Sequence, residues 1–565
     1  MPSYTHWSEF EPLCEALKGE SLSPECMGDW LQRWNELECQ FFESLSRITV
    51  QKDSDPTNTE YQTAFTEFVQ TVVPAMEAAQ QSLRSKLLSV ANWTPPTEYA
   101  HFVHSQAHQA QMYHEANPVL EAEEYKLTLD FDRLMASLRV DWDGSTLTLQ
   151  EAEQLLLDLP RMDREMLWTK MEQAHLGISA QLDDLFLKLL SLRRKIAKNS
   201  GFDRLLDYFW AAKERFDYTE HDAHRLHQAI EKQVLPVMQK AYSQKAQKMR
   251  LTALRPWDIL VDAQGRSGLK PFNGHLELEE TAQRIFNALD SEWGKQFADM
   301  RAGGHLDFES RPNKIPGLGY CTFFPITKQP FIYWTAVGMD VDVRVMMHEA
   351  GHAFHVLASS ENGRPIWNLI PQLEFAEVIS QSMELLTLGL LEKPIGFYSQ
   401  EDAQRSRQEK LMTVLRQFVG NSAKDRFQLW LYGEAPEDVT IADIDAKWLA
   451  CSENPSIDAS GLEWARVKGW QFGHCFKAPL YMFEYIIAWV GALQVWQNAQ
   501  SDQPKAIADL KYAMSLGKTR TLPELFEAAG IAFSFDESLL SKLMAFVSSQ
   551  FESMAMEAET ASQMP

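Results

Sequence analysis

The pentapeptide HEAGH, residues 348–352, stands between VMM and AFHVLA, so two histidines and a glutamate sit inside an apolar helical run. A helix this apolar belongs in a core, where imidazoles and a carboxylate without partners cost free energy. Any fold of this chain must therefore bring a cation or hydrogen-bonding groups against it. On an α-helix His348 and His352 lie one turn apart on one face, and both rings can converge on an ion at about 2.0–2.1 Å. Glu349 lies about 100° around the helix, placed to contact a water at such an ion rather than the ion itself.

A catalytic zinc needs a third protein ligand and an open position. His355 shares roughly the same face but stands about 10 Å along the axis from His348, too far for one ion on a straight helix. A metzincin would carry a further histidine ten residues after His348, where this chain has Ala358. The next candidates lie on LEFAEVISQSMELLTLGLL, a helical stretch with Glu374, Glu377 and Glu384 among apolar residues. Glu377 and Glu384, seven apart, share a face, and buried acids there require a cation or donors. Spacing does not choose between them.

Helical periodicity dominates the rest of the chain, as in QQSLRSKLLSVANW, DDLFLKLLSLRRKIAKNSGFDRLLDYF and LHQAIEKQVLPVMQKAYSQKAQKMRL, and predicts a mainly α fold. Breaks fall at residues 52–60, 92–98 and 262–274, where Pro, Gly, Asp and Asn cluster. The clearest strand signal is GYCTFFPITKQPFIYWT, aromatic and β-branched but interrupted by Pro325 and Pro330. Prolines suit an edge strand, so Phe331–Thr335 is expected at a sheet edge where an extended peptide could pair.

A formal net charge of -25 argues against nucleic-acid binding, which needs a basic stripe. Six dispersed cysteines without a CxxC pair read as reduced thiols rather than a disulfide framework. The opening residues lack the pattern of a secretory signal, and the most apolar run, YIIAWVGAL, is well short of the roughly 20 residues that span a bilayer. The expectation is a soluble, cytoplasmic protein with no membrane partner.

HEAGHAFH followed by a glutamate 25 positions after His352, in FAEVISQSMEL, resembles the thimet oligopeptidase and oligoendopeptidase F family of zinc metallopeptidases, nearest its Pz-peptidase-like branch. The resemblance extends through KIAKNSGFDRLLDYF, GLGYCTFFPITKQPFI, GMDVDVRVMMHEAGHAFH and GHCFKAPLYMFEYIIAWVGALQVW, over about residues 190–500. It implies a mainly α, gluzincin-type metallopeptidase with helical lobes around a deep channel and a small β-sheet beside the HExxH helix. It also implies one Zn2+ per chain held by His348, His352 and Glu377, with Glu349 as general base. His474 and Tyr485 take the oxyanion-stabilising role, and Tyr481 either shares that work or packs beside it. Glu384 and His355 then orient the ligands or form a buried polar pair.

The chain departs from its relatives at Pro479, which stiffens a segment usually richer in glycine, and at Met339 and Arg344. Arg344 reads as a solvated charge. The implied organisation is an N-terminal helical region (1–190), a catalytic region (191–550) and a flexible tail (551–565). The implied activity is hydrolysis of internal bonds in short unfolded peptides. Rival readings are a carboxypeptidase or dipeptidyl carboxypeptidase on the same scaffold and a non-catalytic peptide-binding protein.

Overall fold

The computed structural model describes residues 4–311, 313–314, 317–361 and 363–562. It is mostly helical, and no helix among these residues is long and apolar enough to cross a membrane. The expected breaks separate helices: one ends at Ser54 and the next begins at Thr59, and the 92–98 break lies between Val73–Leu88 and Thr97–Met112. Two helical runs accommodate a proline by widening. Just before Pro74 and Pro236 the backbone widens into single π-helical turns, Phe68–Val72 and Ile230–Val234. A proline ring crowds the carbonyl four residues back and forms no bond to it, so a wider turn keeps the helix running.

The chain forms two compact units, each discontinuous in sequence. The first comprises Met1–Pro118, Lys270–Ala403 and Gly491–Phe533. At its centre the helix Asp340–Ser360, which carries HEAGH, packs against the helix Leu373–Leu386, which carries the acids. Gly351 sets their separation, because a Cβ there would stand 2.8 Å from Ser380 Cα and 3.3 Å from the Ile379 carbonyl oxygen. The N-terminus of the HEAGH helix is fixed by Asp342, a fully buried carboxylate. It accepts from Trp334 Nε1 at 2.9 Å and from the backbone N–H groups of Val337 and Met339 at 2.9 and 2.8 Å.

Beside that helix lies a three-stranded sheet in the order Leu306–Asp307, Gln329–Tyr333, Tyr320–Phe324. Phe331–Tyr333 is therefore in the middle strand, not at an edge as expected from its prolines. Ile332 and Trp334 donate to the carbonyls of His305 and Asp307, both at 3.0 Å, which puts the even-numbered N–H groups on the Leu306–Asp307 side. Pro330 has the same parity but falls beyond the end of that short strand, so its missing donor breaks no ladder bond. Across the ladder Phe323 pairs with Pro330 and Cys321 with Ile332. Alternation turns the N–H groups of Cys321 and Phe323 outward, and Tyr320–Phe324 is the open edge.

The second unit comprises Val119–Leu269, Gln404–Val490 and Ser534–Pro565. Its long helix Arg161–Asn199 buries Arg193, which pairs with Glu124 at 2.6 Å and donates to the carbonyls of Cys475, at 3.1 Å, and Phe476. The last helix, Glu537–Ser562, runs through most of the segment expected as a flexible tail, and residues 563–565 lie outside the described residues.

Gly351→Ala is expected to destabilise the protein by about 1–3 kcal/mol, the range for forcing a methyl group into packed helices. Denaturant titration with equal m-values measures it, and an unchanged midpoint would mean that the two helices are free to separate.

Candidate metal centre

The contact of these two helices in the first unit brings His348, His352 and Glu377 together. Their ligand atoms all lie within 4.8 Å of one another. Glu377 Oε2 is 3.3 Å from His348 Nε2 and 3.8 Å from His352 Nε2. The imidazole rings stand nearly perpendicular, with centroids 4.9 Å apart. Ser380 Oγ donates to Glu377 Oε2 at 2.9 Å and so fixes the carboxylate's rotation. Of the three acids that spacing left open, Glu377 reaches both histidines. Glu384 meets the far side of His348, with Oε1 3.1 Å from Nδ1, and Glu374 is buried outside the cluster. An Nδ1–H donated to Glu384 makes Nε2 the nitrogen of His348 that is available to an ion.

The electrostatics show what the cluster requires. Burial acts to lower the pKa of His348, but the carboxylates of Glu377 and Glu384 outweigh it and hold that imidazole well above its ordinary value. His352, with less carboxylate support, is pushed down to about 4 by burial. The protein thus assembles a buried anionic pair that draws a positive charge onto His348. Two imidazole nitrogens and one carboxylate oxygen are the donor set of a catalytic zinc, three ligands with room for a fourth. The nearby thiol of Cys321 is not part of the cluster, and burial and the charge of Glu349 raise its pKa well above the usual range.

Glu349 is beside this donor set but not part of it. Burial pushes its carboxyl up to about 7, and Glu377 and Glu384 push the same way, while His348 and a hydrogen bond from the Cys321 backbone N–H pull it down. A carboxyl near neutrality, held against an open strand edge, is suited to accept and return a proton.

His355 does not join the hydrogen-bonding around the ligands. Its Nε2 has no hydrogen-bond partner among the described residues, its ring edge faces Phe375 at 6.2 Å, and burial pushes its pKa down to about 3. Arg344 is not a solvated charge: it is largely buried and pairs with Asp340, which also accepts from Tyr398 Oη at 2.6 Å. Met339 acts through its backbone, as part of the Asp342 cap.

The second unit gathers His474, Tyr481 and Tyr485. Ring centroids are 5.4 Å apart for His474 and Tyr481, 6.0 Å for His474 and Tyr485, and 4.9 Å for the two tyrosines. The intervening turn is tied to its surroundings at Leu480, the residue after Pro479. Leu480 takes a left-handed conformation (φ 61°), its N–H donates to Gln428 Oε1 at 2.7 Å, and its carbonyl accepts from Arg215 at 2.7 Å. The buried Glu484 pairs with Lys213 at 2.8 Å and Arg215 at 3.3 Å. Sequence reasoning missed Lys213, Arg215 and Gln428. The available signal was Glu484 itself, an acid in the apolar run MFEYIIAWV that had to find cations.

A family model described as peptidase family M3 matches residues 155–545. Among solved structures, the chain is similar to Pz peptidase A with an inhibitor, at 22% identity and a TM-score of 0.88, over 97% of this chain and 96% of that one. It is also similar to a candidate oligoendopeptidase F at 23% identity and a TM-score of 0.87, over 97% and 96% of the two chains. A further candidate oligoendopeptidase F, from Bacillus anthracis strain Ames, has 20% identity and a TM-score of 0.83, over 97% and 95%. No curated protein matches in sequence.

Metal-stripped protein is expected to take up one equivalent of zinc in competition with a chromophoric chelator. Glu377→Ala should abolish that uptake, and Glu384→Gln should weaken it by about 10–100-fold. Equal affinity in Glu384→Gln would remove its part in orienting His348.

Proposed function

The chain belongs to peptidase family M3, and from that premise we propose that it is a zinc-dependent oligoendopeptidase hydrolysing internal bonds of short, unfolded peptides in the cytoplasm. The observation that carries this reading is the convergence of three ligand atoms beside a buried glutamate that is not one of them. His348, His352 and Glu377 would hold the zinc, which would supply Lewis acidity at the scissile carbonyl and acidify water.

Within this reading Glu349 takes the proton of the attacking water and later delivers it to the leaving amine. Burial makes this carboxylate a stronger base than an exposed one. Glu384 holds His348 in the ligating tautomer. His474 and Tyr485, and less directly Tyr481, donate to the oxygen on which negative charge develops; this assignment rests on the resemblance to the family. The rigid turn at Leu480 supports it, because a donor fixed in advance costs no reorganisation when the charge forms. The peptide backbone pairs with the open edge of Tyr320–Phe324, where the Phe323 N–H points outward. Ile332→Pro would break the bond to His305 inside the sheet and test folding rather than substrate binding.

Zinc-loaded protein incubated with a library of 6- to 20-residue peptides should give internal cuts readable by mass spectrometry, reduced at least ~100-fold in Glu349→Ala. Amidating the peptide C-terminus should leave those cuts in place. Loss of cleavage on amidation would indicate a carboxypeptidase, and no cleavage by metal-loaded protein would indicate peptide binding without hydrolysis. Tyr485→Phe should lower kcat by roughly 10²–10³ with little change in KM. A change confined to KM would place the phenol in binding alone.

A further inference from the structure

A cavity of about 210 Å³ opens beside the Tyr320–Phe324 strand, lined entirely by residues of the first unit. Its walls include Phe42, Phe102, Phe323 and Trp367, the rings of Phe102 and Trp367 being stacked with centroids 4.0 Å apart. Its place relative to the sheet follows from its lining. Phe42 belongs to the helix Met27–Ser54, which packs on one sheet face through Ser46 to Thr322 and Asp53 to Tyr320. Phe323 projects from the opposite face, against Val356 of the HEAGH helix. A cavity touching both residues passes around the border of the sheet, and because no residue of the turn 325–328 lines it, it lies along the open edge rather than at the hairpin end.

The same edge leads to the reaction centre. Cys321 lies beside Glu349, and Phe323 is two residues further along, about 7 Å at the rise of a strand. Val356, packed on Phe323, lies one helical turn beyond His352. A peptide paired with this edge and cut opposite Glu349 therefore has a side chain at the mouth of the cavity. Size and polarity restrict that side chain. A cavity of about 150 Å³ lined by apolar residues is known to hold benzene, so this one has room for a phenyl ring or larger. The lining holds no carboxylate, and its charged member is Lys518, so a lysine or arginine entering it meets no counterion.

We propose that this cavity is a specificity subsite taking an aromatic or large aliphatic side chain of the substrate peptide, at a residue about two positions from the scissile bond. The inference rests on the peptidase reading, and it names the class of side chain that the reading leaves open.

The test uses zinc-loaded full-length protein and one parent peptide carrying Phe, Leu, Ala, Asp or Lys at each of the three positions on either side of the cut. At one position Phe and Leu should exceed Ala in kcat/KM at least about tenfold, with Lys poorer still. Gln109→Trp fills the cavity, and Ile370→Trp, at an exposed lining residue, closes its mouth. Each should reduce the Phe-to-Ala ratio at that position at least about fivefold while leaving the ratios at other positions in place. Thermal melts select the folded variants. Absence of any such position, or a ratio that survives in a folded variant, overturns the proposal. A second arm separates the two readings by titrating labelled Phe and Ala peptides into Glu349→Gln protein and following anisotropy. If no peptide is cut in any arm, the hydrolytic reading falls. The subsite then stands only if the Phe peptide binds about tenfold tighter and Ile370→Trp removes that difference.

Discussion

A carboxylate buried between two imidazoles governs the first unit. Glu377 is almost wholly removed from water, within 3.3 and 3.8 Å of two histidine nitrogens. An ion so placed costs several kcal/mol unless charge and hydrogen bonds compensate it. The compensation needs two helices closer than ordinary side chains permit, which is why HEAGH carries a glycine where its helix meets the backbone of Ser380. Ser380 then does double duty, providing the contact surface and a hydroxyl donor to Glu377. Packing and electrostatics are here one requirement, since separating the helices would also disperse the ligand atoms.

The same helix is anchored at its other end by Asp342, whose acceptors are satisfied from the segment that follows the middle strand. That anchor sets the position of the sheet against the helix, and with it the contact between Glu349 and the Cys321 N–H. Glu349, the ligand cluster and the open strand edge are thus held on one framework. In the second unit, Arg193, Arg215 and Gln428 bind backbone groups between His474 and Tyr481, so that segment too is fixed by buried polar contacts.

What could be read from sequence follows from how local each cause is. The helices, their breaks, and the pairing of His348 with His352 arise from neighbours in the chain, and periodicity or spacing reveals them. The choice of Glu377 over Glu374 and Glu384 depends on how two helices dock, and spacing alone left it open; the resemblance named Glu377 before the geometry did. The strand edge was misread because Pro330 looks like a local signal. Its effect depends on where a two-residue strand far earlier in the chain stops. Arg344 looked solvated because Tyr398, which shares its partner Asp340, lies 54 residues away. His355 looked like a ligand-orienting residue from its place beside HEAGH, but the ring it meets belongs to Phe375 on the other helix.

X-ray absorption at the zinc edge of the reconstituted protein bears most directly on the central claim. The account predicts one zinc with nitrogen and oxygen neighbours at about 2.0–2.1 Å, imidazole scattering from two histidines, and no sulfur. A sulfur neighbour at about 2.3 Å, or a protein that retains no zinc, would contradict it.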